Sequence, residues 1–395
     1  MKPSLSARLR AVAAPPIPAA RQWAARYDGR AGPALDMTQA VPGYPAHPEL
    51  LKRLGEAAGR ADMAGYGDIA GDAPLRAALA ADMATIYGGG VCAEHIAITA
   101  GCNLAFTMAM TTLAGPGATV LLPTPWYFNH AMALEMLGIA ARPLPCRAED
   151  GFVPDADLAA GLIDSTVRAI ILVTPNNPTG AIYPAETILR FAELCQARGI
   201  FLVLDETYRD FLSADHGPPH ALFADPGWQD YLVQLYSFSK SYCIPGHRVG
   251  AIAAGPDVMG ELLKVLDTFQ ICPNRAPQSV LQWAIPALQG WRDGNRDLMA
   301  SRAAVCRRAI GQAAGWRIDA LGTYFAYVRI PDDAPNATIV GEYLAANCGL
   351  MSLPGPIFGP GQKRHLRLAF ANADATMIAA IPQRLNAWTQ AASPG

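Results

Sequence analysis

The chain has 395 residues, 51% of them hydrophobic and 16% charged, enough apolar material for a large core and far from the composition of a disordered chain. Basic residues number 31 and acidic ones 33; the net charge of −2 excludes a strong electrostatic footprint for nucleic acid or acidic membrane surfaces. Eight cysteines without a CxxC pair exclude a disulfide framework and read as reduced thiols of a cytoplasmic protein, and no apolar run approaches the ~18 residues of a membrane span.

The first 27 residues carry Lys2, Arg8, Arg10, Arg21 and Arg26 and no acid. A transit peptide has such charge, but Pro15, Pro16 and Pro18 are expected to break an amphipathic helix, so the segment reads as an N-terminal arm. The Pro-rich stretch 42–48 is expected to join it to the large domain. From about 90 to 270, apolar runs at 96–99, 119–122, 169–173, 201–204, 232–236 and 249–253 read as strands. Helical patterns lie between and beyond them at 103–113, 129–137, 185–198 and 257–269. Near-continuous apolar strands separated by helices imply crossover connections and a mainly parallel sheet covered on both faces, an α/β fold. Helical 278–314, a strand at 324–329, a helix at 338–347, a strand near 366–370 and a last helix predict a smaller α+β domain. The expected division is 1–45 as the arm and part of the small domain, 46–275 as the large domain and 276–395 as the small one.

The densest chemistry lies in 237–250, Ser-Phe-Ser-Lys-Ser-Tyr-Cys-Ile-Pro-Gly-His-Arg-Val-Gly. Lys240 is one of five lysines, and no acid occurs from 232 through 256. A poorly solvated lysine near another cation has a depressed pKa and serves as a nucleophilic amine that forms Schiff bases. Ser237 and Arg248 suit a dianionic phosphate. Asp205, in Leu-Asp-Glu-Thr-Tyr at 204–208, ends an apolar strand, where α/β folds place functional groups. A carboxylate there needs a cationic partner or hydrogen bonds; a protonated pyridine nitrogen would supply the first, and an ordinary helix N-cap or ion pair is the alternative. Asn177 sits in the rigid turn Thr-Pro-Asn-Asn-Pro-Thr-Gly at 174–180, able to offer an amide to a phenolate-type oxygen. Gly101 joins a strand to a helix whose start favours an anion. Tyr127, in Pro-Trp-Tyr-Phe-Asn-His at 125–130, can stack on a flat ring or serve the core.

In this order the segments resemble the class I/II aminotransferases, fold-type-I enzymes that use pyridoxal 5′-phosphate, over nearly the whole chain. The most specific parts are Asn-Pro-Thr-Gly at 177–180, Asp-x-x-Tyr at 205–208, and Ser-x-Ser-Lys followed by Gly-x-Arg-x-Gly within 237–250. The resemblance implies a large domain with a mainly parallel seven-stranded sheet between helices, plus a smaller α+β domain. It implies that Lys240 carries the cofactor as a Schiff base and later moves a proton, and that Asp205 keeps the pyridine nitrogen protonated. Asn177 and Tyr208 match the partners of the ring oxygen, Tyr127 the stacking aromatic, and His130 a histidine that buttresses the aspartate. Gly101, Cys102, Asn103, Ser237 and Arg248 match the phosphate cup. Tyr66 resembles a tyrosine that reaches the neighbouring subunit's phosphate, which implies a homodimer. Arg367, in His-Leu-Arg-Leu-Ala-Phe at 365–370, matches the arginine that grips the substrate carboxylate, with Ala40 and Asn177 beside it. No metal is implied.

Cys102-Asn103 departs from the small or hydroxyl residues usual in the phosphate turn, and Ala40 stands where the family often has Gly. Arg275 is a candidate for an acidic substrate side chain or for a rim salt bridge. Trp126, Tyr127, Tyr44, Val41 and Tyr324 suggest an apolar or aromatic-tolerant pocket. The implied activity is ping-pong transfer of an amino group from an L-amino acid to a 2-oxo acid. A lyase, cyclase, decarboxylase or oxidase on the same fold is the alternative, since one carbanion serves them all. A regulator with an added DNA-binding domain finds no helix-turn-helix pattern and no basic surplus.

Overall fold

A computed structural model describes residues 3–392. Seven strands form the central sheet: β1 (Ile96–Thr99), β2 (Thr119–Thr124), β3 (Ala140–Pro145), β4 (Val167–Val173), β5 (Phe201–Asp205), β6 (Leu232–Ser237) and β7 (Gly250–Ala254). Their order is β1-β7-β6-β5-β4-β2-β3. β7 runs antiparallel to both neighbours and every other pair is parallel. Successive side chains enter opposite cores. Ile170, Leu172, Leu202 and Leu204 meet Leu75, Phe191 and Leu281 on one face; Ile171, Val203, Val233 and Ile252 meet Phe106, Leu122 and Leu262 on the other. Burial on both faces is why these strands read as unbroken apolar runs.

A second sheet, all antiparallel, contains β8 (Arg317–Gly322), β9 (Phe325–Arg329), β10 (Leu353–Pro354) and β11 (His365–Ala369) in the order β10-β11-β9-β8. Helix Ala337–Cys348 covers it; Asn336 caps its start by accepting from the Thr338 and Ile339 N–H groups. Leu35 and Met37 pack in this core with Ile310, Leu344, Leu366 and Trp388. Leu35–Asp36 also pairs in parallel with Leu350–Met351 as a separate two-stranded sheet, tying the arm to the segment just before β10.

The structure corrects several expectations. Edge strand β3, Ala-Ala-Arg-Pro-Leu-Pro, is not among the strands expected from the sequence; it pairs with β2 alone, and an edge tolerates prolines that a central strand does not. Pro16 and Pro18 begin helix Pro16–Ala24 instead of breaking it, because first-turn N–H groups have no helical acceptor to lose. The single helical stretch expected over 278–314 is two helices, Arg275–Ala287 and Gln289–Ile310; Pro286 deprives the first of a donor and the break follows at Leu288. The expected boundary at 275 falls at the start of the first of these two helices. Ala276, Val280, Leu281, Ala284, Ile285 and Leu288 pack in a core of the central sheet, so we propose that the large domain runs to Leu288.

Candidate active site

Turns at the carboxyl ends of the parallel strands, the segment 38–41 and Arg367 of β11 surround a cavity of about 300 Å³. Such strand ends are where an α/β sheet leaves room for a ligand, because the strands separate into divergent turns there.

At the end of β1, Gly101 turns the chain with φ +91° into helix Cys102–Leu113. The φ of +91° favours glycine, and a Cβ at 101 would meet the end of the Arg248 side chain and push its guanidinium away. The guanidinium of Arg248 therefore rests against the first turn of a helix, where unpaired N–H groups and the dipole already favour an anion. Arg248 has φ +52° and donates from Nη1 to the Pro245 carbonyl at 3.0 Å. Gly250 allows the same approach from β7; a Cβ there would stand 2.7 Å from the Cys102 nitrogen. Ser237, at the end of β6, caps the short helix Phe238–Ser241 by accepting from the Ser239 N–H at 3.3 Å.

That helix presents Lys240 to the cavity. Its Nζ donates to the Ala40 carbonyl and, among the described residues, meets no carboxylate. Burial, then the charges of Arg367 and Arg248, lower its pKa to about 8. A substantial share of the amine is therefore neutral near pH 8, as nucleophilic attack requires.

Asp205 ends β5 and is buried. Burial alone would raise its pKa, but His130 Nε2 at 3.2 Å and donors from Thr207, N at 3.0 Å and Oγ1 at 2.7 Å, outweigh it and hold the carboxyl below its usual range. His130 is fixed by stacking on Phe106, 3.9 Å between ring centroids at 14°, and by the edge of Tyr127 at 5.1 Å. Tyr127 is fixed in turn by Asn129 Nδ2, which donates to its hydroxyl at 2.8 Å, and by its own bond to Asn103 Oδ1 at 3.3 Å. Cys102 Sγ lies 3.8 Å from Asp205 Oδ1, so the thiol faces the carboxylate.

Opposite these groups stands Arg367, 2% exposed and sandwiched near Phe325 and Phe358 with its guanidinium carbon 5.0 and 5.3 Å from the ring centroids. Its Nη1 donates to Asn177 Oδ1 at 2.9 Å and its Nη2 to the Thr38 carbonyl, while Nε has no partner. Burial lowers its pKa to about 10. Tyr208 packs on Tyr324 and Phe325, and burial drives its phenol well above the ordinary value.

Of the residues singled out in the sequence, the structure brings together Ala40, Cys102, Asn103, Tyr127, Asn177, Asp205, Tyr208, Ser237, Lys240, Arg248 and Arg367 around the cavity, with Gly101 and His130 directly behind it. Tyr66 is not among them: it is 81% exposed on the surface. Arg275 lies 3.4 Å from Asp72 and donates to the Asp62 carbonyl at 2.7 Å, also outside the cavity. The expected aromatic lining is only partly present. Val41 and Tyr127 face the cavity, whereas Tyr44 and Tyr324 pack with Tyr208 and Phe211, and Trp126 lies under Gly359. Sequence reasoning missed Thr207, Thr38, Gln39, Asn129 and Ile17. Thr207 had a signal, the Asp-x-Thr spacing of a side-chain-closed turn. Ile17 had none, since it reaches the cavity from a helix far away in the chain.

The sequence model of the family described as aminotransferase class I and II matches residues 35–385. An arginine–pyruvate transaminase of Pseudomonas aeruginosa is 30% identical over 313 residues, 77% of each chain. An aromatic aminotransferase of Arabidopsis thaliana is 28% identical over 300 residues, 74% of each. Among solved structures, an aspartate aminotransferase of Thermus thermophilus with maleate superposes with a TM-score of 0.88 at 22% identity, over 98% of this chain and 100% of that one, a likeness of fold. With a family match over residues 35–385 and the strand-end cavity built as described, the chain belongs to the class I and II aminotransferases and is an enzyme of amino-group transfer.

Proposed function

We propose that this cavity holds pyridoxal 5′-phosphate and, in alternating half-reactions, an L-amino acid and a 2-oxo acid. The observation that carries the reading is Lys240: a lysine amine inside a strand-end cavity, without a carboxylate partner and with its pKa lowered by burial and by two guanidinium groups. The residues fit the cofactor. Gly101 and Gly250 keep a cradle open at a helix start beside Arg248, and Asp205 is a buried carboxylate kept ionised. The names of the relatives favour transamination over elimination, cyclisation, decarboxylation or oxidation.

When bound, the cofactor supplies an electron sink for the carbanion at the substrate Cα. Arg248, Ser237 and the N–H groups of Cys102 and Asn103 hold its phosphate. Asp205 would keep the ring nitrogen protonated, and Asn177, whose Oδ1 is already engaged by Arg367, would have its Nδ2 free for the ring oxygen beside the Tyr208 hydroxyl. Tyr127 covers one ring face. Arg367 takes the substrate α-carboxylate in its fork, and Lys240 Nζ removes the Cα proton. Arg367→Ala is expected to raise KM for the amino acid by roughly 100-fold with a smaller change in kcat, since a charge-assisted bidentate contact of about 3 kcal/mol is lost. Steady-state kinetics check this, and an unchanged KM contradicts it.

Apoenzyme given pyridoxal 5′-phosphate, reduced with borohydride and digested, should carry the pyridoxyl mass on the peptide containing Lys240. The uptake rate should rise roughly tenfold per pH unit below about 8 and level off above it, because only the unprotonated amine attacks. An adduct elsewhere, or an inflection near the ordinary lysine value, refutes the assignment.

A homodimer belongs to the same reading. Tyr66, Phe269 and Ile271 are 81%, 62% and 47% exposed. The Gly67 N–H donates to Cys272 Sγ at 3.4 Å, which ties these apolar segments into one surface. In this reading Tyr66 reaches the phosphate of the neighbouring subunit. A cytoplasmic location fits the eight cysteines, none bonded to another. Among the described residues no helix is long and apolar enough to cross a membrane.

A further inference from the structure

Asp205 and Lys240 follow neighbouring parallel strands, β5 and β6, and the last backbone bond between those strands runs from the Glu206 N–H to the Leu235 carbonyl at 3.0 Å. Beyond it, among the described residues, no backbone bond joins the turn that carries Asp205 and Tyr208 to the helix Phe238–Ser241 that carries Lys240. The sheet alone therefore does not fix the separation of these groups. Resting on the proposed function, we infer that Asp210, Tyr236 and Ser241 are positioning residues: a buried hydrogen-bonded bridge that sets the Lys240 amine against the turn holding Asp205 and Tyr208.

Asp210 lies two residues after Tyr208, in the single turn Arg209–Phe211. Burial would raise its pKa, but Arg209 and Arg292, then the hydroxyls of Tyr236 and Ser241, outweigh it and hold the carboxyl below its usual range. A carboxylate only accepts, so the Tyr236 hydroxyl donates to Asp210 Oδ2 at 2.7 Å. That hydroxyl has one proton to give, so it accepts from Ser241 Oγ at 2.9 Å. Ser241 adjoins Lys240 and closes its helix. The bridge thus runs from the residue beside the lysine to the residue just past the Asp205–Tyr208 turn.

Two buried arginines brace it. Arg292 donates from Nη1 to Asp210 Oδ1 at 3.3 Å and from Nη2 to Asp82 Oδ1 at 3.4 Å, and Arg209 donates from Nη2 to Asp82 Oδ2 at 2.6 Å. The Arg292 guanidinium also lies 5.2 Å over the ring of Tyr242, the residue after Ser241. All of these groups belong to one chain, and the most exposed side chain among them, Asp82, is 10% exposed, so the bridge is complete within one subunit. Buried ion pairs add little net stability, because lost hydration offsets their attraction. What they supply here is position, since charge-assisted bonds are short and directional. Tyr87 belongs to the same network but not to the bridge. It donates to Glu206 Oε2 at 2.6 Å and accepts from Gln234 Nε2 at 2.9 Å and Arg209 Nη1 at 3.3 Å, and none of these partners is on the lysine helix.

The test compares Tyr236→Phe, Ser241→Ala and the double variant, which leave every charge of the network in place, with Tyr87→Phe, which removes a similarly buried hydroxyl off the bridge. Either bridge variant suffices if the other does not fold. In the holoenzyme each should lower kcat by roughly tenfold and leave KM for the amino acid within about twofold, the opposite of the pattern expected for Arg367→Ala. The double variant should lose no more than the larger single loss, because both hydroxyls act through one bridge. Tyr87→Phe should keep kcat within about twofold of wild type. The apoenzyme gives a readout apart from turnover. With pyridoxal 5′-phosphate and borohydride, the pyridoxyl mass should reach Lys240 roughly tenfold more slowly in Tyr236→Phe and Ser241→Ala, and at the wild-type rate in Tyr87→Phe. Unchanged kcat in the bridge variants, losses that multiply in the double variant, a rise in KM in place of the fall in kcat, or an equal loss in Tyr87→Phe overturns the inference and leaves the assignment of Lys240 intact. Wild-type protein labelled at another lysine overturns both.

Discussion

Lys240→Ala is expected to lower amino-group transfer by roughly 10,000-fold or more, because under the proposed function it removes both the nucleophile that would anchor the cofactor and the base at the substrate Cα. Stability should move the other way. The lysine pKa falls from 10.5 to about 8 in the folded protein. Its charged form is therefore penalised by about 3 kcal/mol, and that penalty is fully present below pH 8. Between about 8 and 10.5 the unfolded chain binds more protons than the folded one, so stability of the apoprotein rises with pH across this window. The alanine variant lacks this rise. Its apoprotein should melt no lower than wild type at pH 7, against the loss of one hydrogen bond to the Ala40 carbonyl. Turnover within a hundredfold of wild type, or a variant that fails to fold, contradicts the account.

Asp205→Asn separates charge from geometry. The amide oxygen still accepts from Thr207, so the fold should persist, while the negative charge proposed to hold the ring nitrogen protonated is gone. Removal of a preorganised charge at a buried site predicts a drop in kcat of roughly 1,000-fold. Asp205→Ala should show the same loss of rate plus a fall in stability of about 1–3 kcal/mol, since the Thr207 donors and His130 lose their acceptor in a buried place. The measurements are kcat and thermal unfolding of both variants. Near-wild-type turnover in either removes Asp205 from the mechanism; equal stability of the two would mean that its hydrogen bonds do not hold the turn.

Much of the site was legible because its chemistry is local. Asp205, Lys240 and Asn177 each close a strand or the turn after it, and a short apolar run followed by a distinctive turn is visible in one dimension. Charge isolation around Lys240 was legible for the same reason: no acid occurs within its own segment, and none meets its amine in space. What failed was pattern that depends on neighbours. β3 carries two prolines, and only its position at the sheet edge makes it a strand. Tyr44 and Tyr324 are as aromatic as Tyr127, but packing sends them into a core and Tyr127 to the cavity.

By itself the sequence specified the alternating elements, the residues at the ends of the strands and hence the kind of chemistry, because those follow from local propensity, apolar period and motif. The wall of the cavity came only from tertiary structure. Ile17 and Gln39 come from the arm, Asn129 from a helix start and Arg367 from the second sheet, and no spacing in the chain relates them. They meet because two sheets and an N-terminal helix bury their apolar faces together.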